Sequence, residues 1–99
     1  MTDWIIAGHR CSNHARRRMQ QRGIKKETVE FILVHGDMRE YVGCDTASIY
    51  LSKRKIKQLS ENRHGTPSII EKASKVIVLT SEEMIVTAMP RMAGRPRRH

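Results

Sequence analysis

Ser12-Asn13-His14-Ala15-Arg16-Arg17-Arg18-Met19-Gln20-Gln21-Arg22-Gly23-Ile24 is the stretch on which the reading of the fold turns. It opens on a residue suited to a helix N-cap and closes on a glycine suited to helix termination. Wound at about 3.6 residues per turn, it places His14, Arg18 and Arg22 along one edge, with Gln21 beside them. Ala15 and Met19 form a narrow apolar stripe next to that edge, while Arg16, Arg17 and Gln20 turn outward. A histidine and two arginines thus border a stripe that must bury itself, the setting of a phosphate-handling groove.

Outward from this helix, Ile24 to Gly36 reads as a second one, with Val29, Ile32 and Leu33 inward and Gly36 as its stop. Lys25 occupies its start, where Ser or Thr would cap better, and Ile24 and Val29 stand at the spacing of a hydrophobic staple. Beyond Gly36 the pattern changes to alternating or β-branched and aromatic residues. Arg39 to Val42 and Ala47 to Leu51, joined by Gly43-Cys44-Asp45-Thr46, read as a hairpin. Ser52 to Arg63 is a third helix, with Ile56 and Leu59 inward. Thr66-Pro67 has the order of a cap and a first helical residue, giving a short fourth helix through Ala73. Val76 to Leu79 is the most apolar run and marks a central strand, with Ile77 as a core position. Ser81-Glu82-Glu83 turns the chain back into Met84 to Met89, and Pro90 ends that strand. Trp4 to Ala7 fits either a short strand or an N-terminal arm.

This order predicts an α+β domain over residues 1–90: an N-terminal helix pair on one face of a three- to four-stranded antiparallel sheet, with a helical insertion between two hairpins. Residues 91–99 read as a flexible basic tail. The chain of 99 residues holds 19 Lys and Arg against 10 Asp and Glu, a formal charge of +9. The excess is uneven: residues 1–36 hold seven basic and three acidic side chains, residues 37–90 eight and seven, and residues 91–99 four and none. Such asymmetry favours a polyanionic partner, with RNA or DNA as the first candidate. The plainer alternative is a basic protein whose charge serves only colloidal stability. Cys11 and Cys44 are the only cysteines, which fits thiols in a reducing cytoplasm. No apolar run approaches the roughly 20 residues that span a bilayer, so no membrane association is expected.

The run Ser12-x-His14-Ala15-x-x-x-Met19-x-Gln21-Arg22-Gly23-Ile24, followed by a helix and then strands, resembles a bacterial family of domains of unknown function, distantly related to the RelE/ParE-like toxin superfamily. The resemblance covers the helix pair well and extends weakly to the last two strands. It implies a compact RelE-like α+β fold. For many members of the superfamily it also implies endoribonuclease action, ribosome-dependent or free, held in check by an antitoxin; a small acidic antitoxin-like protein is then a candidate partner. Residues 52–74 depart from the short toxins as a helical insertion.

The residues themselves support part of that chemistry. Cleavage at a 2′-hydroxyl needs a base, an acid for the leaving oxygen and cations for the phosphoryl charge. Histidine suits proton transfer, and the planar guanidinium fork suits phosphate. His14, Arg18 and Arg22 supply both on one helix edge, and Arg91, just after the last strand, joins them from the sheet as the fourth member of a metal-independent catalytic set. Arg17, Arg18, Arg22, Arg91, Arg95, Arg97 and Arg98 are the candidate nucleic-acid contacts. Against this, His14 is equally placed to hydrogen-bond across to the hairpin, and Arg22 to tie the helix end to a nearby carboxylate. Lys53-Arg54-Lys55-Ile56-Lys57 reads as a solvated helix face, and Tyr41 and Tyr50 as cross-strand packing. Cys11 and His14, with Cys44 or His35, form only one visible ligand pair, so neither a metal nor any other cofactor is expected and Cys11 is read as a small core residue.

Overall fold

A computed structural model describes residues 4–43, 45–82 and 84–91. The first helix, α1 (Asn13–Gln21), is capped by Ser12, whose Oγ accepts from the Ala15 N–H at 3.2 Å. It ends as its glycine demands. Gly23 takes φ +70°, its N–H donates to Gln20 O at 3.1 Å, and the Ile24 N–H donates to Met19 O at 2.9 Å. That pairing is a Schellman motif, and its apolar partners Met19 and Ile24 are both buried. Helix α2 (Lys26–His35) has no side-chain bond at its Lys25 cap, but Ile24 and Val29 both enter the core, as a staple requires. Gly36 closes it where a Cβ would stand 2.5 Å from Ile32 O and 2.7 Å from Ile49 Cγ2.

Four strands follow the expected places: β3 (Met38–Tyr41) and β4 (Thr46–Tyr50), then β5 (Val76–Ser81) and β6 (Met84–Pro90). Between the pairs lie α3 (Lys53–Glu61) and α4 (Pro67–Ser74), capped by Ser52 and Thr66. The sheet itself departs from expectation. Trp4–Ile6 and His9–Cys11 form two more strands, β1 and β2, joined by a two-residue turn with Ala7 at φ 51° and Gly8 at φ 80°. Positive φ at both turn positions is the I′ geometry that suits the twist of a hairpin. Strand β2 then pairs parallel to β6 through Arg10↔Met84 and Cys11↔Ile85.

The result is a six-stranded mixed sheet in the order β1-β2-β6-β5-β4-β3. The expected RelE-like arrangement, a helix pair opening the fold over three or four antiparallel strands, is therefore incorrect. A hairpin precedes the helices, and its second strand enters the sheet in parallel because α1 and everything up to β5 separate it from β6, a crossover long enough for parallel pairing. Helices α3 and α4 do lie between the two hairpins, and they join the core through Leu59, Ile70 and Ala73.

The register assigns the two sheet faces. Ala47↔Thr80, Ile49↔Val78 and Val78↔Ala88 put Ala47, Ile49, Val78, Thr80 and Ala88 on one face, and the helices bury Ala15, Met19, Val29, Ile32, Leu59 and Ile70 in the same cluster as Ile49, Val78 and Ala88. Ile77 lies on the opposite face with Leu79 and Met89, only half-buried, so the core positions in this strand are Val76 and Val78. In β6 the register steps from Leu79↔Thr87 to Thr80↔Ile85, leaving Val86 as a bulge residue that is 42% exposed.

Candidate functional site

The four proposed catalytic residues divide into two kinds. His14 and Arg18, one turn apart on α1, do meet: the Arg18 Nε–H donates to His14 Nε2 at 3.0 Å on the exposed side of the helix. A neutral imidazole that accepts at Nε2 carries its proton on Nδ1. The lone pair that a general base needs is thus already engaged by a cation. The partner of His14 is thus on its own helix rather than on the hairpin.

Arg22 and Arg91 are held by backbone instead. The Arg22 Nη1 donates to Thr87 Oγ1 at 2.8 Å and to Ala88 O at 3.0 Å. The pairing of β2 with β6 stops at Ile85, so among the described residues no strand covers this side of β6 beyond it, and the guanidinium from the end of α1 satisfies its carbonyl. The tie runs to a strand edge, not to a carboxylate. Arg91 is likewise anchored: its N–H donates to Lys75 O at 2.7 Å, its Nη1 donates to Leu51 O at 2.8 Å, and its guanidinium carbon lies 4.6 Å from the centre of the Tyr50 ring. It clasps the ends of β4, α4 and β6; the other residues read as a basic tail, 92–99, lie outside the described residues. Arg95, Arg97 and Arg98 lie outside the described residues.

What remains on α1 is a cationic surface. Arg17 and Arg18 are exposed, and after Asp3 no acidic residue occurs before Glu27, an interval with seven Lys and Arg. Each exposed guanidinium offers a planar fork of donors to a phosphate. On α3, Lys53, Arg54 and Lys57 are solvent-exposed, while Lys55 is half-buried near the α2 terminus.

That terminus forms a separate titratable cluster. The His35 ring lies 4.5 Å from Phe31 and 6.3 Å from His64, centre to centre. Partial burial lowers the His35 pKa from its ordinary value, and the charges of Lys55 and His64 lower it further. Asp37 accepts from Ser52 twice, from the N–H at 2.9 Å and from Oγ at 2.6 Å, which locks the cap of α3. Partial burial pushes its carboxyl upward, but the Ser52 hydrogen bonds together with Lys55 outweigh it and hold the pKa below the usual value.

Cys11 is 1% exposed within the core, and among the described residues no three His, Cys, Asp or Glu side chains gather as metal ligands. Tyr41 and Tyr50 point to opposite faces, because Tyr41 pairs with Ala47 and Tyr50 with Met38; they do not pack together. Tyr50 donates its hydroxyl to Glu40 Oε2 at 2.8 Å. Tyr41, 71% exposed, instead stands over a groove of about 600 Å³ that also includes His9 and Arg39, neither of which stood out in the sequence. The alternation within β3, which puts Arg39 and Tyr41 on the helix side of the sheet and yet leaves both exposed, was the available signal for them.

Among the described residues no helix is long and apolar enough to cross a membrane. Neither the curated proteins nor the solved structures hold a match to this sequence. Residues 11–90, from the last residue of β2 through the end of β6, match a family described as Domain of unknown function (DUF4258), and the chain belongs to that family.

Proposed function

We propose that this protein binds single-stranded RNA, with the exposed face of α1 as its phosphate contact. The acid-free interval between Asp3 and Glu27, which includes α1 with Arg17 and Arg18 exposed, is the observation that carries it. Cations at that density bind a polyanion by releasing its counterions, without a preformed pocket. Binding rather than cleavage is the function assigned to this helix, because His14 Nε2 is already an acceptor for Arg18 and Arg22 and Arg91 are committed to backbone carbonyls. The endoribonuclease activity implied by the resemblance to RelE/ParE-like toxins would need a base elsewhere.

Fluorescence anisotropy with a labelled single-stranded oligoribonucleotide, measured across a salt series, tests this. Arg17→Ala and Arg18→Ala should each lower the logarithmic salt slope by about 0.7. Removal of residues 92–99, which carry Arg95, Arg97 and Arg98 but leave the Arg91 clasp in place, should lower it by up to about two. No binding at about 50 mM salt would overturn the proposal.

A further inference from the structure

We infer that the groove at the open end of the sheet is the nucleotide-binding site of this protein, taking one ribonucleotide of a single strand whose base bears an exocyclic amine. The inference rests on the RNA-binding function proposed above and adds where, and through which part of the nucleotide, the strand is read. The groove is formed by three turns and the strands beside them. Strand β2 contributes His9, β3 contributes Arg39 and Tyr41, Thr80 from β5 lies in the floor, and the β3–β4 and β5–β6 turns contribute Asp45 and Glu82.

Sheet register explains why these groups converge. Arg39↔Ile49 and Tyr41↔Ala47 place both β3 side chains on the face that elsewhere carries the core, and Ala47↔Thr80 extends the floor into β5. Where the helix layer ends, that face is left open: Ala47 and Thr80 are buried at 3% and 4%, whereas Arg39 and Tyr41 above them are exposed. The volume, about 600 Å³, falls in the range of small-molecule sites, typically about 300–1,000 Å³.

Each group matches one part of a nucleotide. The Tyr41 ring, exposed at the sheet edge, is a face on which a base stacks, and such stacking tolerates any base. Arg39 supplies a two-pronged donor for the phosphate. The His9 ring is held by a 3.0 Å contact between Nδ1 and Ala7 O, which places a proton on Nδ1 and leaves Nε2 as an acceptor for a ribose hydroxyl. Asp45 and Glu82 would repel phosphate, and both sit at the turns rather than on the strand that carries Arg39. A carboxylate there accepts from the amino group of cytosine, as it does at base edges elsewhere, and uracil offers no such donor. The groove and the α1 surface also lie within one strand's reach. His14 follows His9 by five positions, at most about 18 Å of extended chain.

Anisotropy titrations of the full chain with labelled oligo(C) and oligo(U) test the site. The wild type should prefer oligo(C), and Glu82→Gln or Asp45→Asn should shrink that preference while leaving oligo(U) binding no weaker. Tyr41→Ala should weaken binding of both by about five- to 150-fold, the loss of one stacked base, and Arg39→Gln should lower the salt slope by about 0.7. Both replaced side chains are exposed, and an unshifted thermal melt checks that the fold is retained. If Arg17→Ala and Arg18→Ala weaken binding while Tyr41→Ala and Arg39→Gln do not, the groove assignment is overturned and RNA binding by α1 survives. Equal affinity for oligo(C) and oligo(U) in the wild type also overturns it. If the wild type binds neither, both proposals fall together.

Discussion

Arg22→Ala separates a structural arginine from a phosphate-binding one. In the folded chain its Nη1 serves Thr87 Oγ1 and Ala88 O at 2.8 and 3.0 Å, joining positions 65 and 66 residues apart in sequence. A hydrogen bond from a charged donor contributes about 1.5–3 kcal/mol when buried, and a neutral pair about 0.5–1.5. Arg22 is largely exposed and water can replace it at the strand edge, so about 1–2 kcal/mol is the reasonable total for both bonds. For a domain of this size each kcal/mol moves Tm by about 4–8 °C. The variant should therefore melt about 4–16 °C lower, by far-UV circular dichroism, with an unchanged salt slope in RNA binding. Arg22→Lys should recover little of the loss, since a single ammonium on a flexible stem is a poor substitute for the fork. Arg18→Ala should behave oppositely: Arg18 bonds to exposed His14, so stability should stay within about 0.5 kcal/mol while the salt slope falls. Should Arg22→Ala melt with the wild type and lose about 0.7 of slope, the anchoring role is wrong and Arg22 belongs with the phosphate contacts.

Three further outcomes follow from the packing. Val78→Asp should abolish cooperative unfolding, because Val78 is 0% exposed and a buried unpaired charge costs several kcal/mol, whereas Ile77→Asp on the half-buried opposite face should leave a folded, soluble protein. Lys25→Asp supplies the missing cap of α2 and adds a favourable charge at its N-terminus, so urea unfolding should show a gain of about 1 kcal/mol. His35 should make stability depend on pH. Its folded pKa lies below its reference value of 6.5, so the unfolded chain takes up protons first; the contribution is complete above 6.5 and is lost as pH falls from there toward the folded pKa. His35→Gln should flatten that part of the urea-midpoint profile, while the contribution of Asp37, whose pKa is held below 3.8, should be lost only at more acid pH.

Helix ends were legible in this sequence because capping is local. Ser12, Gly23, Ser52 and Thr66-Pro67 act within one turn of their own position, and each terminus lies where those residues place it. The same holds for the cationic character of α1, a matter of composition along nine consecutive residues. Strand content was less legible. His9-Arg10-Cys11 is too short for a period to register, and it becomes a strand only because β6 offers an unpaired edge beside it. In Val76 to Leu79 four apolar residues in succession carry no alternation, so the choice between Ile77 and Val78 as the core position was made by pairing with β4 and β6.

The candidate site divides along the same line. That His14 and Arg18 share a helix edge follows from their spacing of four, and the structure brings them to 3.0 Å. That Arg22 and Arg91 are spent on carbonyls of β6, β4 and α4 depends on where a strand edge is left uncovered and where the chain ends of three elements meet. The groove of His9, Arg39 and Tyr41 joins residues from the second and third strands, which α1 and α2 separate in sequence and three other strands separate in the sheet. Local chemistry determined the helices and their charge; the order and curvature of the sheet decided which charged groups were consumed as structure and which were left facing solvent, because a hydrogen bond between distant residues exists only after the strands that carry them have paired.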